Sequence, residues 1–474
     1  MTQPNPIRTR KAAAARRRRS PWPALAVGAV LVVGAYAGAT AVFSGRAQGI
    51  TQEFGRGLAS QVNASGVATL RETGYSKGLT DSTQTMTLTL TLKETESDAG
   101  KPLTLLIINH IRHGPLPGLQ GVGQATVDTT FRFGDAAMQA EYDRLFPGEK
   151  PAIHTLVGLA GGTESRVSVP QGQTTQDGQT VAWKALGGTV QVSGSRVSTD
   201  MSWPGLTSAG PEGKTDFSGF KLSGTTLRSG PDDQLGTGDM AFTAERLSFS
   251  GEGQEVSLGG LKVSSQATQS GNFYDSVVKY GVAEVKLAGT GLKADLKNVQ
   301  LDLGLRHLDR AALQRLLAVS REAQGSAGAA DTPSLTETQS KELEAAGLAL
   351  LRGNPKLTLD RLSVTQPSGE IVFTGEASAQ RLADRLAQGG AEDLRRMAAV
   401  PAALLGLLDI RLEGRAPRQA LEDLAGLGGG AGDLTGNIEA LVGNGYVREE
   451  GGQLSAELNL TDGRLTLNGQ ALGE

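Results

Sequence analysis

The first sustained pattern along the chain has no polar face. From Trp22 to Phe43 the sequence WPALAVGAVLVVGAYAGATAVF carries no charge, and Trp22, Leu25, Val27, Val30, Leu31, Val32, Val33, Tyr36, Val42 and Phe43 supply its bulk. A helix rises about 1.5 Å per residue, so such a run spans a hydrocarbon core of about 30 Å. Residues 22–43 are therefore expected to be a membrane anchor. Ile50, Phe54, Leu58 and Val62 then recur every four residues, which predicts an amphipathic stalk helix within residues 44–65.

Beyond the stalk the period changes from about four to two. Met86, Leu88, Leu90 and Leu92 alternate with Thr85, Thr87, Thr89 and Thr91, the pattern of a half-buried strand. Leu103 to Ile111 is apolar on both faces and reads as a central strand that stops at His113-Gly114-Pro115. From Gly121 to about Leu305 short alternating runs follow one another, among them Thr163 to Val169, Val181 to Leu186, Leu247 to Ser250, Val256 to Val263, Val277 to Leu287 and Leu296 to Leu305. Asp177-Gly178 and Gly187-Gly188 fall between runs, as turn residues do. Gly219-Phe220-Lys221-Leu222-Ser223 and Gly260-Leu261-Lys262-Val263-Ser264 hint at a repeated unit. Residues 66–305 are expected to form a meandering antiparallel sheet.

Residues 306–474 mix periods. Asp309 to Glu322 reads as a helix with Leu313, Leu316 and Leu317 inward. A second, Ser334 to Arg352, opens on a capping box of Ser334 and Glu337 and carries Leu343, Gly347 and Leu350 on one side. A hairpin over Leu357 to Thr365 and Ile371 to Ala377 precedes more helix between Gln380 and Leu408, and Asp462-Gly463 joins two terminal strands. The expected fold is mainly β: an anchor, then an elongated, curved antiparallel sheet with helices inserted in the C-terminal third.

Charge orients the anchor. Arg16, Arg17, Arg18 and Arg19 close a basic tail over residues 1–21, whereas only Arg46 and Arg56 follow the span closely, so the N-terminus is expected in the cytoplasm and the bulk of the chain is expected to be exported. A cleaved signal peptide is the competing reading, with Ala35-Tyr36-Ala37 and Ala39-Thr40-Ala41 as small-residue sites; the length of the apolar run favours retention. Gly34 and Gly38 have the spacing of a helix-dimerisation face, which would make a homodimer. A net charge of −3 over 474 residues leaves no broad basic surface for nucleic acid. The absence of cysteine removes disulfides and thiol chemistry, and 65 glycines, about double the usual share, suit many turns.

Candidate chemistry is sparse. His110 and His113, three apart on a strand, point to opposite faces, and only His154 and His307 remain to complete a metal set, so no metal or other cofactor is expected. Gly213-Lys214-Thr215 resembles the end of a phosphate loop, but Ser208 stands where its first glycine would be. No nucleophile elbow, zinc-protease or dinucleotide motif is present.

Several short motifs carry a family likeness. Tyr75-Ser76-Lys77-Gly78, Ile108-Asn109-His110 with His113-Gly114-Pro115, Trp183 before Leu186, Asp462-Gly463-Arg464-Leu465 and Leu467-Asn468-Gly469 resemble the YdgA family of bacterial envelope proteins. The family pattern runs Asn-His-Gly-Pro, whereas Ile111, Arg112 and His113 intervene here. The resemblance implies an inner-membrane anchor and a periplasmic β-rich body; it implies no reaction. The expected role is non-catalytic: binding of lipid or another apolar envelope component, by analogy with groove-forming proteins of the AsmA type. A scaffold for other envelope proteins, or a periplasmic hydrolase, are the alternatives. An open apolar trough favours the first and a closed interior the second.

Overall fold

A computed structural model of the chain describes residues 68–90, 103–117, 121–230, 233, 235–289, 292–326, 335–386, 388, 406–427 and 431–472. The expected anchor, its arginine flank, the stalk and the Gly34/Gly38 pair lie outside the described residues. Among the described residues no helix is long and apolar enough to cross a membrane.

The strands form one large, open antiparallel sheet. It begins with β1 (Ala68–Lys77), β2 (Asp81–Leu90), β3 (Leu103–His113), β4 (Ala125–Phe133), β5 (Ala152–Val157) and β6 (Thr163–Val169), each paired with the next. The hairpin of β7 (Gly172–Gln176) and β8 (Gln179–Trp183) leaves this order, and β6 pairs with β9 (Leu186–Ser193) instead. The next strand, β10 (Arg196–Gly210), is long enough for two neighbours on one edge, β9 along its first half and β8 along its second. From here the meander is regular through β11 (Gly213–Leu227), β12 (Thr237–Gly251), β13 (Gln254–Ser270), β14 (Phe273–Gly289) and β15 (Leu292–Asp309). It continues through β16 (Lys356–Gln366), β17 (Gly369–Ser378), β18 (Asp409–Pro417) and β20 (Gln453–Thr461). Short β19 (Arg448–Glu450) and β21 (Arg464–Leu467) pair with β20, and β22 (Gln470–Ala471) with β21.

The expected mainly β, antiparallel architecture with C-terminal helices is what the chain adopts, with differences in strand length, helix number and capping. Between Gly121 and Leu305 the strands are long, reaching 15 residues in β10 and 18 in β15. Their alternation changes phase midway, so one strand reads as two short runs. Val181 to Leu186 divides between β8 and β9 at Lys184-Ala185. An unexpected helix, α1 (Ala136–Leu145), interrupts the strands, capped by Asp135, whose carboxylate accepts from the Met138 amide at 2.9 Å. Its ten residues hold too few apolar positions to stand out as periodic.

The helix α2 (Arg310–Ser326) buries Ala312, Val319 and Ala323, whereas Leu317 is exposed. Small alanines let α2 pack closely against α3 (Glu337–Arg352), where Ala346 is the buried residue. The α3 cap is Thr336 with Gln339, not Ser334 with Glu337: Thr336 Oγ1 accepts from the Gln339 amide at 3.2 Å and Gln339 Oε1 from the Thr336 amide at 3.0 Å. Both spacings satisfy the capping pattern, so the sequence could not choose between them. After Ala379 the described helix α4 covers 380–386, and Gly406-Leu407-Leu408 is turn and coil rather than helix. Leu407 and Leu408 fold back onto Leu382 and Leu386. Two further unexpected helices, α5 (Arg418–Leu427) and α6 (Ala431–Gly443), fill the connection between β18 and β19.

Candidate functional site

The apolar face of the sheet is closed at its N-terminal end. Leu70, Met86, Leu88, Leu105, Ile107, Phe131, Ile153, Val167 and Val169 point inward from successive strands, and α1 closes over them with Tyr142 and Phe146. Phe146 packs on Trp183 with ring centroids 5.7 Å apart. Trp183 Nε1 donates to the Pro170 carbonyl at 2.9 Å and Trp203 Nε1 to the Lys184 carbonyl at 3.1 Å, so both indoles are buried with their one donor satisfied.

From β11 onward, among the described residues, the same face has no such cover over most of its extent. Trp203 in β10 is 7% exposed, but Phe249 is 44%, Leu305 48% and Leu357 51% exposed. Aliphatic partners face one another across strand after strand: Val278 opposite Leu303, Leu303 opposite Leu359, Leu357 opposite Ala377, Ala377 opposite Ile410 and Ile410 opposite Leu460. Nine strands from β11 to β20 at about 4.8 Å each, with roughly ten residues of strand, give an area on the order of 1,000 Å², beyond the few hundred of a typical soluble surface.

A crease runs across the long strands and keeps this face continuous. Pro204, Gly219, Glu245, Gly260, Ala283 and Asn298 stand opposite one another in β10 to β15, and each is skipped in the ladder while register is kept on either side. On alternate strands the residue is left-handed: φ is +68° at Gly219, +63° at Gly260 and +48° at Asn298. Such a residue reverses the phase of alternation. Apolar residues that recur at i, i+2 on either side are therefore spaced i, i+3 across the crease: Trp203 and Leu206, Phe217 and Phe220, Ala244 and Leu247, Leu258 and Leu261, Val282 and Val285, Leu296 and Val299. On the opposite face Pro204, Glu245, Gly260, Ala283 and Asn298 are exposed, whereas Ala244 on the apolar side is buried. The crease positions thus lie on the polar face, behind the apolar rows that flank them.

Helices rim the far half of this face. Ala420 of α5 is fully buried against Ile371 and Ala416, with Val364, Leu421 and Leu424 around them. Near the opposite strand ends Leu305, Leu357 and Ala377 line a cavity of about 210 Å³ with Pro355, Ala379 and Leu408.

The motif residues of the sequence do not converge. Tyr75 is exposed on β1, opposite Gln84. The Gly78 amide donates to the Asp81 carbonyl at 2.7 Å in the β1–β2 turn. Asn109 is buried in a polar row across the core: Gln84 donates to Glu72 at 2.7 Å, Asn109 to Gln84 at 3.0 Å and Thr129 to Asn109 at 2.7 Å. His113 lies 2.9 Å from the Ser82 hydroxyl, while His110 is exposed on the other face. Gly114, at φ +117°, and exposed Pro115 end β3. Asp462 and Gly463, at φ +56° and +71°, form the β20–β21 turn, and Asn468 and Gly469, at +50° and +84°, the β21–β22 turn. Asn468 ties that turn down, donating to the Tyr446 carbonyl at 2.9 Å and accepting from the Glu457 amide at 3.0 Å. These positions sit at opposite ends of the sheet with Trp183 in the closed core, so they are turn and core determinants rather than one site. His154 bonds Asp128 at 2.7 Å and His307 stacks on Phe273; among the described residues no three His, Asp or Glu side chains gather as a metal site.

The matched family agrees with this scattered pattern in its reach along the chain. A family described as bacterial protein of unknown function (DUF945) matches residues 23–474. The chain belongs to that family. Its match covers every strand of the sheet, the closed end and the open face alike. No curated protein and no solved structure matches the chain. The crease is what sequence reasoning missed. Its trace was the repeated Gly219-Phe220-Lys221-Leu222-Ser223 and Gly260-Leu261-Lys262-Val263-Ser264, whose glycines are two of the three left-handed crease positions.

Proposed function

We propose that this protein is a non-catalytic lipid-binding module of the bacterial cell envelope, YdgA-like, anchored in the inner membrane by residues 22–43 with its sheet in the periplasm. The occupant of the open face is the acyl chain of a membrane phospholipid. The observation that carries this reading is the aliphatic face across β11 to β20, largely uncovered among the described residues, which offers a ligand dispersion contacts and few hydrogen-bonding groups. Hydrocarbon meets that demand without leaving polar groups unpaired, whereas a peptide backbone laid there would bury N–H and C=O groups with no partners. The uncharged run at residues 22–43 supplies the source, because it ties the face within reach of a bilayer.

The test places charges on the face of the full chain. Val282→Asp with Val299→Asp sets two carboxylates opposite each other on β14 and β15, at half-buried positions. Binding of a fluorescent phospholipid should fall at least tenfold, with far-ultraviolet circular dichroism unchanged. Unchanged binding in a folded double variant would overturn the reading, and a protein captured at the face by crosslinking in place of lipid would favour a scaffold.

A further inference from the structure

Resting on that reading, we infer that the acyl chain lies along the crease, crossing the strands, with its methyl end towards β10 and its open path towards β15 and beyond.

Two transverse rows flank the crease and contain no polar side chain. One runs Leu206, Phe217, Leu247, Leu258, Val285, Leu296, every neighbour directly paired. The other runs from Trp203 and Phe220 through Ala244, Leu261, Val282 and Val299. The next row on one side, Met201, Leu222, Phe242, Val263, Tyr280 and Leu301, carries one hydroxyl, and the rows beyond the flanking ones are interrupted. Thr199, Gly224, Met240, Ser265, Val278 and Leu303 form one, and Ser208, Thr215, Phe249, Val256, Leu287 and Ala294 another. Along β11 and β13 a chain lying parallel to the strand leaves the apolar floor within a few residues, passing from Leu222 to Thr226 or from Val263 to Ser265. Strands β12, β14 and β15 stay apolar for longer, up to Ala294 to Leu305 in β15, but only a path across the strands joins that hydrocarbon to the aromatic rings of β10 to β12. A chain along the crease stays on hydrocarbon for six strands.

The lane has a stopped end. Trp203, Phe217, Phe220 and Phe242 form a chain of rings with centroids 5.3, 6.1 and 4.9 Å apart at β10 to β12, beside the closed core. Beyond β12 the two rows are leucine and valine only. Five strand spacings of about 4.8 Å make the lane about 24 Å long, longer than the ~15 Å depth of one bilayer leaflet's hydrocarbon, so one acyl chain fits within it.

The experiment uses the full chain in phosphatidylethanolamine–phosphatidylglycerol vesicles doped with a phospholipid whose acyl chain carries a diazirine near its methyl end. Irradiation followed by peptide mapping locates the adducts. The expected result is adducts on crease-row residues of successive strands, richest at Phe220, Leu247, Leu258 and Leu261. With the diazirine moved towards the carboxyl end, the adducts should migrate to Val282, Val285 and Leu296. Adducts on the apolar face that follow a single strand, or that centre on Ser265, Val278 and Leu303, would overturn the crease path while leaving lipid binding intact. Adducts no richer on the apolar face than on the outer face would overturn both.

Discussion

Gly219 and Gly260 combine two demands that only glycine meets. Both have positive φ, and a Cβ would come within 2.2 Å of Glu245 Cγ at Gly219 and 2.8 Å of Ala283 Cβ at Gly260. A left-handed L-residue costs about 1–2 kcal/mol before any clash, so Gly260→Ala should lower unfolding free energy by at least that much in a urea titration. Asn298 holds the same conformation in β15 with a side chain that tolerates it; Asn298→Val should cost about 1–2 kcal/mol and Asn298→Gly close to nothing. A second residue-scale device locks the β11–β12 connection to α2. Arg310 Nη2 donates to Asp233 Oδ2 at 2.5 Å, and the Ser229 and Leu235 amides donate to the same carboxylate. Burial pushes this carboxyl up, but those hydrogen bonds outweigh it and hold the pKa at about 2, below the ordinary 3.8. A depressed folded-state value means stability present above about pH 4 and lost as pH falls towards 2. Acid titration of the fold should show that loss, and Asp233→Asn should lack this component while being less stable at pH 7. Arg310→Ala, which leaves a buried carboxylate unpaired, should cost about 3–5 kcal/mol.

Elements were legible in proportion to how far their apolar pattern stood apart from their neighbours. The β2 alternation of Met86 and Leu88 with threonines and the Asp462-Gly463 hairpin read directly, because period and turn chemistry agree there. The central strands read as fragments, because the phase reversal at Gly219, Glu245, Gly260, Ala283 and Asn298 breaks period two inside a single strand. Helix α5 was invisible for a different reason: its buried contact is Ala420, whose small size makes a close approach to Ile371 and Ala416 but adds little to a hydropathy pattern. That closeness makes α5 easy to displace. Ala420→Glu should detach it, raising the protection loss of residues 418–427 in hydrogen exchange and enlarging the uncovered face, with binding of a hydrophobic dye increased. The face itself was legible only as an expectation that leucine, valine and alanine line one side of a sheet. Whether that side was closed depended on elements distant in sequence, with α1 packing on β4 and β7 beside the closed core and no helix packing likewise on β12 to β14 among the described residues.

At the scale of the whole molecule, one sheet passes from a sealed core to an open apolar surface without a break in its hydrogen-bonded ladder. The sealed end, with Trp183 over Gly172 and its indole satisfied by Pro170, is the stabilising half: a Cβ on Gly172 would lie 2.3 Å from the Trp183 ring. Trp183→Ala should therefore cost about 3–5 kcal/mol, read as a lower denaturant midpoint. The open end contributes less to stability than its hydrophobic content suggests, because its side chains remain half in contact with water until a ligand covers them. The measurement that tests this account most directly is lipid analysis of Arg46 to Glu474, exported without the preceding segment, purified without detergent and extracted into organic solvent. A phospholipid at a fixed molar ratio, absent from a control protein purified in parallel and lost from the Val282→Asp, Val299→Asp variant, is the predicted result. A folded sample whose extract matches the control would contradict it.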